Sequence, residues 1–504
     1  MAEGSAQPSL SVRTARGAGW VIVWRMCSRL MGVVNTVVLV RLLAPADFGL
    51  VALATSFSQI VEWLSGIGVN DALVRETHLD RALYDTGFTL NLLRGVLMAV
   101  AIAAEAFPVA GFFGDTRLAD ILLVLAATMF MGSLENIGVV DFRRDLAFEK
   151  EFLVAIVPRI ASIVVSMTYA VVFRDFWALV AGIVTFRVLR VVLTYWMHPY
   201  RPSLTLRAYR RIIAFSLWSW VAATVMLARD RIDALVIGRL FGPTMVGIYS
   251  VGWEIGSLTS TELVEPVTAA LFPGFAEARR TGGGVAEGYF KAISATFLLT
   301  LPMGVGLSML AWPVIQLAFG ARWLQAVPLV QVFALVCMVK VIAYFSAVLL
   351  NAYGLVQIQF RILAVALVIR VGLLAALVGR YGLMGAAMAA TGCMVIEETI
   401  FLIYTFRRFK LRVLDLLQGI WRCTLATAAM AAALSWEGLG WGATGTGPDD
   451  AVHGLVLGVA SGAVVYTAVL LLAWWATGRP RGAETVFLDV LTGMLRHLIR
   501  WRRA

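Results

Sequence analysis

Charge is what this chain most lacks. Its 504 residues carry 42 Lys+Arg and 31 Asp+Glu, 14% in all, where an ordinary soluble domain holds about 25%. So few charges cannot cover a soluble particle of this size, and the same shortage excludes intrinsic disorder and coiled coil. Histidine is scarce too: His78, His198, His453 and His497 are scattered, with no HExxH and no metal-type cluster. Cys27, Cys337, Cys393 and Cys423 each lie in an apolar run, which excludes a disulfide-rich scaffold and points to packing residues. The dipeptide Gly-Lys never occurs, so a P-loop is excluded, and no internal loop exceeds about 23 residues. Such loops cannot house a nucleotide-binding or catalytic domain. Neither a metal nor a cofactor is expected.

What the chain has instead is hydrophobicity, 60% of its residues, with a mean hydropathy of +0.84. A helix of about 20 apolar residues crosses ~30 Å of hydrocarbon. Fourteen such runs are found, at 19–40, 48–70, 86–108, 119–140, 152–173, 176–197, 212–240, 245–266, 290–311, 325–350, 361–378, 383–404, 416–435 and 454–477. The expected fold class is an all-α polytopic membrane protein. Residues 1–16 are polar and contain no apolar core of a cleavable signal.

Basic residues set the orientation. With a cytoplasmic N-terminus, the inside segments hold 25 basic residues and the outside turns six, while 11 lie within spans. That asymmetry satisfies the positive-inside rule and places both termini in the cytoplasm. The net charge of +11 therefore reads as topology and attraction to anionic lipid, with no nucleic-acid partner. In the tail, Leu491, Leu495, Leu498 and Trp501 recur near helical spacing among arginines, as in an amphipathic helix lying on the bilayer.

One turn is repeated. Arg41-Leu42-Leu43-Ala44-Pro45-Ala46-Asp47-Phe48-Gly49 and Arg239-Leu240-Phe241-Gly242-Pro243-Thr244-Met245-Val246-Gly247 share R-L-x-x-P-x-x-x-G at an offset of 198 residues. Proline ends the incoming helix and glycine allows close packing as the next begins. Six spans separate the copies, an even number, so both enter from the same face as parallel repeats. The expected organisation is a cytoplasmic N-terminus (1–18), a first six-helix lobe (19–210), a second (211–412), two additional helices (413–477) and a basic amphipathic tail (478–504). The two lobes would surround a central cavity.

The run from Trp20 to Arg75, with the first copy of the turn and Gly66-Ile67-Gly68, resembles the N-terminal segment of Wzx-type polysaccharide exporters. These are oligosaccharide-lipid flippases of the multidrug/oligosaccharidyl-lipid/polysaccharide exporter superfamily. Further matches are Asp233 with Gly238-Arg239-Leu240-Phe241-Gly242 and Gly247-Ile248-Tyr249, Phe319-Gly320 with Trp323, and Tyr381-Gly382-Leu383-Met384-Gly385-Ala386-Ala387. Together they cover residues 17–410 or so. The resemblance implies a twelve- or fourteen-helix fold and export of a lipid-linked glycan. Beyond about residue 410 it fades, and the last two spans rest on hydropathy.

Charges inside spans are the candidate site. Arg94, Arg187, Arg190 and Arg422 lie where they are expected to snorkel to an interface. Arg29, Lys340 and Arg370 lie near mid-span, where lipid exposure of three cations would cost about 8–10 kcal/mol on insertion scales. They must face protein or water. Arg25 and Arg29 share a helix face and need an anion nearby. It is either Glu62 at similar depth or the pyrophosphate of a polyprenyl-linked substrate, whose oxygens suit paired guanidinium forks. Arg25, Arg29, Arg370 and Lys340 are thus the candidate pyrophosphate ligands. Arg229 and Asp233 are spaced for a self-neutralised helix pair. Glu254, midway through its span, is either hydrogen-bonded within the lobe or a proton or Na⁺ site. Glu62, Glu254 and Asp233 are the candidate cavity or ion-coupling acids. Of the adjacent Glu397 and Glu398, one is expected to meet Lys340 or Arg370.

The leading function is a flippase of the bacterial inner membrane. It would carry a polyprenyl-pyrophosphate-linked oligosaccharide outward by alternating access, beside polysaccharide polymerase and glycosyltransferase partners. A lipid II flippase shares the pyrophosphate and remains an alternative. A drug/cation antiporter is disfavoured because the first three spans hold Arg25, Arg29 and Arg94 against Glu62 and Glu105. A membrane glycosyltransferase or polymerase needs carboxylates beside a sizeable outer loop; the longest here, 436–453, is Gly-rich and bears only Glu437, Asp449 and Asp450. A pure scaffold would leave the mid-span arginines unexplained.

Overall fold

The computed structural model describes residues 27–28, 31–64, 69, 73, 80–144, 147–209, 217–281, 285–442, 445 and 447–479. Arg25, Arg29, the polar N-terminus and the amphipathic tail from residue 480 lie outside the described residues. Among the described residues every regular element is helical, and the chain forms two compact units, Met1–Gly247 and Ile248–Ala504.

In the first unit run α1 (Met31–Leu42), α2 (Pro45–Leu64), α3 (Arg81–Phe113), α4 (Arg117–Ser133), a 3-10 turn (Ile137–Val139) leading into α5 (Val140–Arg144), α6 (Phe148–Phe173), α7 (Trp177–Met197) and α8 (Leu217–Phe241). α3 shows why these are membrane helices. Its buried face carries Met98, Ile102, Ala106 and Val109, and its outward face carries Leu97, Val100 and Phe107, each more than 60% exposed. A helix apolar on both faces belongs in hydrocarbon. Its ends are marked by Asp80, whose carboxylate accepts from Leu83 N at 2.8 Å, and by left-handed Gly114 at φ 75°.

α3 packs on α4, α6 on α7, and α8 on α2. With lipid on the outside, helices associate by close packing through small residues. A Cβ on Gly95 would lie 2.2 Å from Ser133 Cβ, and Ser162 Oγ donates to Gly182 O at 2.8 Å. The two copies of the repeated turn meet reciprocally in this unit. A Cβ on Gly49 would lie 1.6 Å from Pro243 O, and one on Gly247 would lie 2.1 Å from Pro45 O. Each glycine thus admits the other copy's proline carbonyl.

The segment after α7 is strapped to the start of α3. The buried Asp85 carboxylate accepts from the Tyr200 hydroxyl, from Ser203 N at 2.9 Å and from Ser203 Oγ at 2.6 Å. Thr205 N and Ala208 N donate to the hydroxyls of Thr89 and Thr86 at 3.0 and 3.2 Å. Arg201 closes the end of α7 by donating to His198 O, Tyr200 O and Tyr195 O. Burial pushes the Tyr200 phenol up from its ordinary value, keeping it the donor toward Asp85.

α9 (Pro243–Thr281) starts at the end of the first unit and continues into the second, which adds α10 (Ala286–Met309), α11 (Ala311–Ala318), a 3-10 turn (Ala321–Ala326), α12 (Val327–Cys337), α13 (Val341–Ala352), α14 (Val356–Phe409), α15 (Val413–Trp436) and α16 (Pro448–Ala476). Gly252 and Gly256 press α9 onto Leu329 and Phe333 of α12. The expected span 325–350 is bent by 43° between α12 and α13. α14 folds back on itself at Gly382 (φ 59°, ψ −136°), where a side chain would be strained. Across that hairpin Cys393 Sγ donates to Ala366 O at 3.1 Å. The last two helices pack on each other, α15 also on α10 and α16 on α11; Tyr466 of α16 donates to Leu298 O at 2.6 Å.

Among the described residues six helices are long and apolar enough to cross a membrane, with the α14 hairpin counted once, or seven with the bent α12–α13 pair. The protein is a multi-pass, all-helical membrane protein. Three cysteines are buried as packing residues, but Cys27 is exposed, a departure from the expectation for all four.

Candidate functional site

A cavity of about 230 Å³ lies inside the first unit, among α2, α3, the end of α4 and α7. α2 supplies Glu62, α3 supplies Asn91 and Arg94, the turn after α4 supplies Glu135, and α7 supplies Arg187 and Arg190. Arg187 stands ten residues into the 21-residue α7, ~15 Å along its axis and midway through it. From there its side chain reaches Glu62, with Nη2 3.5 Å from Oε1. Gly132 leaves the space it needs, since a Cβ there would lie 3.2 Å from Arg187 Nη1. Arg190 Nε lies 3.1 Å from Glu135 Oε2, an ion pair whose alignment falls short of a hydrogen bond. Arg94 is the third guanidinium, and its buried Nε has no hydrogen-bond partner among the described residues.

The cavity's floor is rigid. Asn136 accepts from Gly138 N at 2.9 Å through its side-chain oxygen and donates to Tyr200 O at 2.8 Å and His198 O at 3.3 Å. Its own backbone N–H donates to Thr194 Oγ1 on α7 at 3.2 Å. These bonds fix the turn that carries Glu135 against the helix that carries Arg190.

This assembly corrects the reading of Arg94, Arg187 and Arg190 as snorkelling residues. They converge inside the unit because α3 and α7 both pack on α4 and two glutamates wait there, which hydropathy along one helix cannot reveal. Glu62, expected at the depth of Arg25, is held by Arg187.

The remaining candidates lie elsewhere. Lys340 occupies the bend between α12 and α13, with Nζ 5.4 Å from the Trp253 ring centroid and 5.7 Å from that of Tyr344. Arg370 is buried and donates from Nη1 to Ala390 O at 3.2 Å. Asp233 is buried on α8, while Arg229 lies 2.9 Å from its neighbour Asp230. Glu254 is exposed on α9. Of the adjacent Glu397 and Glu398, Glu398 accepts from Ala343 N at 2.7 Å and caps the broken helix at α13. Among the described residues no group of His, Cys, Asp and Glu is placed to hold a metal ion.

Residues 38–328, more than half of the chain, match the profile of the polysaccharide biosynthesis protein family. The chain belongs to that family. It is 24% identical over 474 residues to the succinoglycan biosynthesis transport protein ExoT of Rhizobium meliloti (strain 1021), covering 92% of this chain and 94% of that protein. It is 22% identical over 361 residues to the lipopolysaccharide biosynthesis protein WzxC of Escherichia coli (strain K12), covering 70% of this chain and 73% of that one. The resemblance to Wzx-type exporters read from the repeated turn is thereby borne out. Among solved structures, the lipid II flippase MurJ in an inward closed conformation superposes with a TM-score of 0.75 over 91% of this chain and 99% of that one, at 15% identity. That likeness shows a shared helical membrane fold. Members of the polysaccharide biosynthesis protein family thus include transport proteins, and this member places three arginines and two glutamates inside one helical unit.

Proposed function

We propose that the protein is a flippase that moves a polyprenyl-pyrophosphate-linked oligosaccharide from the inner to the outer leaflet by alternating access, for surface polysaccharide biosynthesis. It does so in the bacterial plasma membrane with both termini cytoplasmic, delivering its cargo to polymerase and glycosyltransferase partners. The observation that carries the reading is the internal charged cavity in a member of this family. Guanidinium groups inside a membrane-spanning unit are costly unless they meet carboxylates or polar cargo. Arg25 and Arg29 remain the proposed pyrophosphate pair, and the lobes 19–210 and 211–412 the proposed moving bodies. The lipid tail stays in the bilayer while the polar head crosses a hydrated path, which avoids stripping water from a charged group in hydrocarbon.

Depletion of the protein tests this. The lipid-linked oligosaccharide should accumulate facing the cytoplasm, as read by mass spectrometry of extracted lipids and glycosidase access in inverted vesicles. Surface polysaccharide should fall in parallel. An unchanged pool and unchanged surface glycan on depletion would overturn the reading. Undiminished export by an Arg25→Ala/Arg29→Ala double variant would remove the pyrophosphate role from that pair.

A further inference from the structure

We propose that the cavity lined by Arg94, Arg187 and Arg190 binds one sugar bearing a single carboxylate, an acidic residue of the transported glycan, with Arg94 as the principal carboxylate ligand. The inference rests on the flippase reading and names a subsite within it.

The charge balance selects the ligand. Three arginines face two glutamates in the cavity, a surplus of one positive charge. Glu62 and Glu135 already lie against Arg187 and Arg190. Arg94 is held less closely: Glu62 attracts it as well, but its buried Nε, like that of Arg190, has no hydrogen-bond partner among the described residues. A guanidinium fork takes a carboxylate through two parallel hydrogen bonds. One carboxylate brings the cavity to neutrality. A pyrophosphate, with roughly two or three negative charges, would leave the same walls net negative and bury charge without a counterion.

The rest of the lining suits a sugar ring. Asn91 offers an amide that can both donate to and accept from ring hydroxyls. Met98, Met129 and Ile137 supply an apolar wall for the C–H face of a pyranose. At about 230 Å³ the space admits one monosaccharide and excludes an oligosaccharide, so the subsite reads one residue of the chain. It lies within one unit, so it can hold the sugar without the remainder of the cargo path.

The experiment uses the full-length protein in nanodiscs and saturation-transfer difference NMR with free glucuronate, glucose and inorganic pyrophosphate as probes. Glucuronate should give a signal about tenfold stronger than glucose, and excess glucose should not displace it. Arg94→Gln should abolish the difference, and Arg94→Lys, which keeps the charge but loses the fork, should restore part of it. Equal signals from glucose and glucuronate on the unaltered protein would overturn the proposal without recourse to any variant. So would an undiminished preference in Arg94→Gln, or displacement of glucuronate by pyrophosphate at lower concentration than glucuronate itself, which would make this a phosphate site. The depletion experiment keeps the two ideas apart. If depletion traps the lipid-linked glycan but the nanodisc protein does not discriminate the acid sugar, only the subsite falls. If depletion leaves the pool unchanged, the flippase reading falls while the sugar preference is judged by the binding data.

Discussion

The reciprocal contact between Gly49 and Gly247 makes an alanine scan of the repeat unusually decisive. Both glycines lie inside helices, five residues into α2 and α9. On helix propensity alone, alanine at either position should stabilise by up to about 1 kcal/mol. The geometry reverses the sign. A methyl on Gly49 would sit 1.6 Å from Pro243 O and one on Gly247 would sit 2.1 Å from Pro45 O, whereas ordinary contact begins at 3.4 Å. The turns would have to part by about 1.8 Å or 1.3 Å respectively along those lines. A gap of 0.5–1 Å already forfeits about a quarter to a half of a dispersion contact, and overpacking costs typically ~1–3 kcal/mol. Each single variant should therefore lose about 1–3 kcal/mol. Once the first methyl has opened the turns, the second finds room. Gly49→Ala/Gly247→Ala should then lose about as much as the worse single variant, well short of the sum of both. Equilibrium denaturation of the solubilised protein, followed by tryptophan fluorescence in one fixed detergent, measures all four corners of the cycle. Singles as stable as the parent, or a double variant whose loss equals the sum, would refute the close approach.

Two further outcomes follow from the polar contacts. Asp85→Ala removes the common acceptor of Tyr200 and Ser203; because Ser203 is exposed and Tyr200 half-buried, water recovers part of the lost bonds and the loss should be about 1–3 kcal/mol. Hydrogen exchange at Ser203 N should accelerate sharply, Asp85→Asn should recover part of the protection, and unchanged exchange would show that the strap has other anchors. In the turn between α3 and α4, the hydrogen bond from Arg117 holds the Asp115 carboxyl below its ordinary value of 3.8. A depressed carboxylate contributes stability that is present above its unfolded pKa and is lost as pH falls through the folded one. Because the Arg117 side chain is 48% exposed, the pair is worth under ~1 kcal/mol. Asp115→Asn should cost no more than that at neutral pH and nothing once the pH is well below the carboxylate range; a pH-independent gap in denaturation midpoints would contradict the assignment.

Hydropathy and the positive-inside count exposed the membrane class, because lipid demands long apolar helices whatever the rest of the fold does. The repeated Pro–Gly turn was legible as two weak matches, and its physical meaning is a mutual contact. The hairpin turn in α14 was legible as the break between the spans 361–378 and 383–404, bounded by Tyr381-Gly382. The bend between α12 and α13 was hidden, because the stretch from Val327 to Ala352 holds no Gly or Pro near Lys340 to mark a break, and the break is set by tertiary contact, including the Glu398 cap on Ala343 N. The cavity was hidden for a related reason. Arg94 and Arg187 are 93 residues apart in sequence and meet only because α3 and α7 both pack on α4. Seen one helix at a time, Arg94 looks like a cation nearer a span end, and the central position of Arg187 in 176–197 says nothing of its partners.

Partial neutralisation of that cavity is a requirement of transport as well as of folding. Three uncompensated arginines would cost about 8–10 kcal/mol to hold in hydrocarbon and would grip an anion too strongly to let it go. Conduction and carriage both need a site favourable enough to enter and weak enough to leave. Two glutamates placed 3.5 and 3.1 Å from Arg187 and Arg190 meet both demands together. They lower the cost of the empty cavity and compete for the guanidiniums with any arriving anion; Glu62 also attracts Arg94, so the competition there is weaker but not absent. A third acid in the cavity would have neutralised it; the one positive charge left over among three arginines and two glutamates is what the proposed acidic sugar would balance.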